Sequence, residues 1–164
     1  MNDDFLDLIE ELLAVEARFL IVGGYAVGAH GHPRATKDLD IWVEPTADNA
    51  ARVYDALCNF GAALSDLQPT DLATPHYGFM MGLPPRRIDV LTTISGVDFA
   101  PAWSRRALLP VGRDLITPFI GLDDLIANKR AAGRLQDLAD LAAVVDISGE
   151  AGDGKGRASS SDEG

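Results

Sequence analysis

Two glycines close a short apolar run, and two aspartates follow inside a second apolar run; this pairing constrains the chain more than any other feature. Phe19-Leu20-Ile21-Val22, Gly23-Gly24 and Tyr25-Ala26-Val27-Gly28-Ala29 read as strand, tight turn and helix. After thirteen intervening residues comes Asp38-Leu39-Asp40-Ile41. In a strand, residues i and i+2 project from the same face. Asp38 and Asp40 are therefore expected to point the same way, close enough to share cations.

The rest of the chain alternates between the two periods. Residues 3–17 carry a helical rhythm behind Asp3-Asp4 as N-cap carboxylates, and the helix after Gly23 is expected to run from Gly24 to about Gly31, stopped by Pro33. A strand is predicted over Asp38 to Val43. Thr46 or Asp48 then opens a helix with Ala50, Val53, Tyr54, Leu57 and Phe60 on its apolar face and Gly61 as its stop. A loose Pro- and Thr-rich stretch over about 65–76 precedes two strands, Tyr77 to Met81 and Arg87 to Leu91, joined through Leu83-Pro84-Pro85. Two short extended pieces are expected around Gly112. From Gly121 the pattern is helical, with Leu122, Leu125, Ile126 and Lys129, then Leu135, Leu138, Leu141 and Val145. The predicted organisation is one α/β domain over residues 1–147, a small sheet packed with helices, and a disordered acidic Gly/Ser-rich tail over 148–164.

Charge narrows the partners. The formal net charge is −11, and the tail accounts for only −2 of it, with Glu150, Asp153, Asp162 and Glu163 against Lys155 and Arg157. An acidic body disfavours non-specific nucleic-acid binding. No apolar run is long enough to span a membrane, and Met1-Asn2-Asp3-Asp4 lacks the basic start of a signal peptide, so a cytoplasmic protein is expected. The single Cys58 is expected to be a buried structural thiol. His30 and His32 read as polar turn residues, and Trp42 and Trp103 as core or pocket walls.

The acids invite chemistry. Gly23-Gly24 is either a plain tight turn or a place where backbone amides approach a phosphate, aided by the start of the next helix. Asp38 and Asp40 are either two acids at a solvated strand end or a site for Mg²⁺, which prefers carboxylates together with substrate phosphates. Asp89, in Arg87-Ile88-Asp89-Val90-Leu91, is disfavoured in a strand on propensity. It is either an edge acid or a third member of the same site, able to accept a proton from an attacking hydroxyl. Arg34, Thr36 and Lys37 lie just before the carboxylates, and the fork of Arg34 suits a phosphate.

Val22-Gly23-Gly24, the following Asp38-Leu39-Asp40-Ile41 and the later Ile88-Asp89-Val90 together resemble the signature of the nucleotidyltransferase superfamily that includes DNA polymerase beta. The likeness covers about residues 15–145 and is nearest to small bacterial and archaeal members of toxin–antitoxin or abortive-infection type. It implies the small mixed sheet of the nucleotidyltransferase fold, flanked by helices and followed by C-terminal helices. It further implies two Mg²⁺ ions on Asp38, Asp40 and Asp89, with a nucleoside triphosphate such as ATP held at Gly23 and Gly24. Gly24 stands where many relatives have serine. Toxin-type relatives show a Lys, Arg and Asp pattern similar to Lys129, Arg134 and Asp137 here; Lys129 would reach the phosphates, while Arg134 and Asp137 could equally form an intrahelical pair. The implied activity is transfer of a nucleoside monophosphate to a hydroxyl on a small molecule, a protein or a tRNA. The alternative is a catalytically silent binding module with a protein partner.

Overall fold

The computed structural model describes residues 1–153, with side chains through residue 146. Its order is α1 (Asp3–Ala14), β1 (Phe19–Val22), α2 (Gly23–Ala29), β2 (Asp38–Val43), α3 (Ala47–Phe60), β3 (Gly78–Met81), β4 (Arg87–Leu91), α4 (Phe99–Ser104), β5 (Ala107–Pro110), β6 (Ile116–Phe119), α5 (Leu122–Ala132) and α6 (Leu135–Asp153). Short 3₁₀ turns at Pro69–Ala73 and Gly112–Asp114 fill two of the connections. The six strands form one mixed sheet in the order β3-β4-β2-β1-β6-β5. β1 runs antiparallel to β2 and parallel to β6, while β2 and β4 are parallel. The fold is thus a mixed α/β sheet flanked by helices, ending in two C-terminal helices.

Each boundary has a local cause. Asn2, and not Asp3 or Asp4, caps α1, its side chain accepting from the Phe5 amide at 3.0 Å. The two aspartates instead occupy the first turn, where negative charge suits the helix dipole. The helix ends at Ala14, short of the expected residue 17. Thr46 caps α3, and Gly61 stops it in the left-handed conformation at φ 89°. α2 begins at Gly23 and ends at Ala29, before the proline that was expected to stop it. α4 has no counterpart in the sequence reading, since a six-residue segment is too short to show a helical period. α6 continues to Asp153, past the expected domain boundary at 147; the rest of the predicted tail, 154–164, lies outside the described residues.

The core forms on both sheet faces. β1 is buried along its whole length, as expected of a strand covered on two sides. Leu39, Ile41, Ile88 and Val90 face one side with Phe5, Leu8, Ile9, Val53 and Leu57 in the same apolar core. On the other side Trp42 meets Phe99 edge-on, with ring centres 4.9 Å apart, and Phe99 stacks on Trp103. Cys58 corrects its reading: it is exposed, because it follows Leu57 round α3 and turns away from the side that buries Val53, Ala56 and Leu57.

Asn49 is a buried polar residue that ties this assembly together. Its side chain accepts from the Arg18 amide at 2.7 Å and donates to the carbonyls of Arg18 and Glu44 at 2.9 and 3.0 Å. It thereby locks α3 onto the end of the β1–β2 ladder. Asn49→Ala leaves the Arg18 amide without this partner, while the Arg18 and Glu44 carbonyls keep backbone bonds from Glu44 and Thr46. A loss of about 1–3 kcal/mol is expected, read as a lower urea midpoint at unchanged m-value.

Candidate functional site

Strand pairing assembles the site. β2 and β4 are parallel and in register, so that Asp38 lies opposite Arg87 and Asp40 opposite Asp89. Cross-strand partners share a face, and Asp38, Asp40 and Asp89 are therefore three acids on one side of two neighbouring strands. Val22 at the end of β1 pairs with Asp40, which brings the glycine turn to the same place. The three aspartates, Val22 and Gly23 line an open cleft of about 790 Å³, shared with Arg87, Lys129, Arg134, His76, Thr93, Ser95 and Asn128.

The glycine pair answers to close packing. Gly23 sits at φ +69°, and a Cβ there would run into Oδ2 of Asp40. A Cβ on Gly24 would lie 2.9 Å from both the Arg34 guanidinium and Thr36 Oγ1. Gly23 borders the cleft, whereas Gly24, Arg34 and Thr36 stand behind its wall. Thr36 donates to the Asp38 carbonyl at 3.2 Å, fixing the backbone at the start of β2.

The acids are only partly compensated. Arg87 Nε donates to Asp89 Oδ1 at 3.1 Å. Asp38 Oδ1 is buried without a hydrogen-bond partner. Burial pushes Asp40 up to about 7; the charge of Asp89, a hydrogen bond shared with it and the charge of Asp38 add to the rise, while Lys129 opposes it. As the side chains stand, no group of three or more acidic, histidine or cysteine residues among the described residues is gathered tightly enough to hold a metal ion. The donor chemistry nonetheless fits a hard divalent cation: oxygen ligands, surplus negative charge and a buried carboxylate oxygen awaiting a partner.

Behind the acids lies a second charged layer. Lys129 on α5 is only 4% exposed and stands between Asp137 and Asp140 of α6, at 3.1 and 3.0 Å. Arg134 holds Asp137 at 2.7 Å, the i,i+3 pair that spacing allowed, but from the residue just before α6 and not from within the helix. Arg34 grips Asp140: its Nη2 donates to Oδ2 at 3.2 Å, and its Nε lies 2.9 Å from Oδ1 but out of line for a hydrogen bond. Burial works to raise both carboxyls. For Asp137, hydrogen bonds from Arg134 and Lys129 overcome it, and for Asp140 those from Lys129, Gln136 and Arg34, so both stay below the usual range. Lys129 and Arg134 thus border the cleft as expected, whereas Arg34 faces a carboxylate that the sequence reading missed. Asp140 could have been found from its spacing three residues after Asp137, which puts both on one helix face. Arg87, two residues before Asp89, was legible only as the first residue of a predicted strand.

The remaining expectations sort cleanly. His30 is a turn residue whose Nε2 lies 2.7 Å from the Ile120 carbonyl. Trp42 is core, and neither tryptophan lines the cleft. No helix among the described residues is long and apolar enough to cross a membrane. In comparisons with known proteins, no family model matches the chain and no curated protein is significantly similar to it.

Two predictions follow from this charge distribution. Asp40 carries its proton to higher pH in the folded than in the unfolded chain, from 3.8 to about 7. Its raised pKa therefore costs nothing in acid, and stability falls as pH rises through that window. In metal-free buffer Asp40→Asn is expected to melt above the parent at about pH 8, by an amount on the order of 2 kcal/mol that shrinks towards about pH 4. Asp140→Ala, which strips Arg34 of its partner and Lys129 of one of two, should cost about 3 kcal/mol in denaturant unfolding.

Proposed function

We propose that the cleft is the active site of a Mg²⁺-dependent nucleotidyltransferase, moving a nucleoside monophosphate from a nucleoside triphosphate to a hydroxyl acceptor. The observation that carries this reading is the in-register face of Asp38, Asp40 and Asp89 beside Gly23, with its unbalanced charge. Repelling carboxylates are costly to keep together without a cation, and the spacing of the three acids along the chain is that of the superfamily they resemble.

Asp38 and Asp40 would hold the metal, with Asp89 completing the set. Bound there, Mg²⁺ supplies charge that stabilises the α-phosphate and the departing pyrophosphate. Asp89 accepts the acceptor's proton as the new oxygen–phosphorus bond forms and the bond to the β-phosphate breaks. Lys129, locked by two carboxylates, acts as a fixed positive charge in the cleft wall rather than a mobile arm. His76, Thr93, Ser95 and Asn128, which also line the cleft, offer polar groups to an acceptor. Preorganised charge and positioning are what such a transfer asks of a protein.

A second reading, a silent module that docks a protein partner, is favoured by the outward side of α6, where Leu135 is 88% and Leu138 49% exposed. Turnover separates the two. Purified protein incubated with labelled triphosphates, Mg²⁺ and a cell lysate is expected to release pyrophosphate and to label an acceptor. Asp38→Ala and Asp40→Ala should each lower this at least about a thousandfold while circular dichroism stays unchanged. Full activity in both variants would end the enzymatic reading.

A further inference from the structure

Among the described residues Arg87 is the cation that pairs with one of the three acids, and it is unlike its neighbours in the charged layer. Lys129 is enclosed between two carboxylates of α6, and Arg34 is gripped by Asp140 in the same layer. Among the described residues Arg87 is held only by Asp89 and by a contact of its Nη2 with the sulfur of Met80, a residue on the edge strand that is itself 63% exposed. Its side chain is more than a third exposed and lines the cleft. Its charge also feels Asp38 and Asp40, and its backbone lies opposite Asp38 in the β2–β4 register. A guanidinium in that position satisfies one oxygen of Asp89 by one N–H and leaves most of its donors free.

Resting on the nucleotidyltransferase reading, we infer that Arg87 is an exchangeable counter-ion: it occupies Asp89 when no metal is bound, and yields that carboxylate to the divalent ion and turns its fork onto the triphosphate when the site is loaded. The geometry gives it both roles. A positive charge beside three carboxylates opposes a second cation there, in the sense of simple Coulomb repulsion. The same charge, once released, is a planar fork at the cleft wall within reach of phosphate oxygens, where bidentate pairing is strong.

The consequence is a pair of effects with opposite sign, which a merely structural arginine would not produce. In titration calorimetry with Mn²⁺ alone, Arg87→Gln is expected to bind the ion at least about fivefold more tightly than the parent protein. With metal saturating and a non-hydrolysable triphosphate as the second ligand, the same variant should bind the nucleotide about tenfold more weakly. Arg87→Lys, which keeps the charge but loses the fork, should retain parental Mn²⁺ affinity and lose most of the nucleotide contribution. Because Arg87 is on the surface side of β4, matching thermal melts of the three proteins serve as the check on folding. Parallel weakening of both ligands, or no change in either, would overturn the exchange. Failure of the parent protein to bind Mn²⁺ or triphosphate would overturn the nucleotidyltransferase reading itself, and with it this inference.

Discussion

The parallel, in-register pairing of β2 with β4 is the constraint on which the rest of the site depends. It places Asp40 opposite Asp89 and lets Asp38 join them from the same strand. One residue of slip would send a carboxylate through the sheet into the apolar layer of Leu39, Ile41, Ile88 and Val90, which are all buried. The apolar face therefore fixes the acidic face. Burial on one side supplies the free energy that holds like charges together on the other.

The charges behind the cleft extend the same logic. Five carboxylates, Asp38, Asp40, Asp89, Asp137 and Asp140, meet four cations, Arg34, Arg87, Lys129 and Arg134. The pairs on Asp137 and Asp140 are closed, and they fasten α6 to α5 and to the segment leading into β2. The shortfall is concentrated on Asp38 and Asp40, the residues nearest the glycine turn. Negative charge is neutralised where it fastens helices and left unneutralised in the cleft, and it is on this asymmetry that the proposed metal site rests.

Much of this could be read from residues alone, for reasons that are local. Thr46 and Gly61 delimit α3 because capping needs only a hydroxyl and a left-handed residue at the right offsets. β2 was legible to the residue because acids alternate with buried aliphatics. What escaped depends on partners far along the chain. Arg34 looked like a phosphate ligand because Asp140, over a hundred residues away, was not known to face it. Leu135 and Leu138 mark the helical period of α6, yet the helix turns Asp137, Asp140 and Val144 inward and leaves both leucines exposed. Periodicity identifies a stripe; it does not say which stripe is buried when the opposite one carries acids that two buried or half-buried cations require.

The glycine turn shows how function and packing can ask for the same residue. A phosphate cradle needs amides without a Cβ in the way, but Gly23 already has no room for one, since Asp40 Oδ2 occupies that space. The left-handed φ of +69° follows from the chain passing from β1 into α2 with no connecting residue between them. Any side chain at residue 23 would therefore displace the carboxylate before it disturbed a bound phosphate. The distance between the turn and the acids is set by steric contact and not by a flexible loop, so a metal held by Asp40 and a phosphate held at the turn would be brought together by rigid parts of the fold. The same packing bears on the raised pKa of Asp40: burial against Gly23 comes first, the charge of Asp89 across the ladder adds to it, and protonation or a cation relieves both.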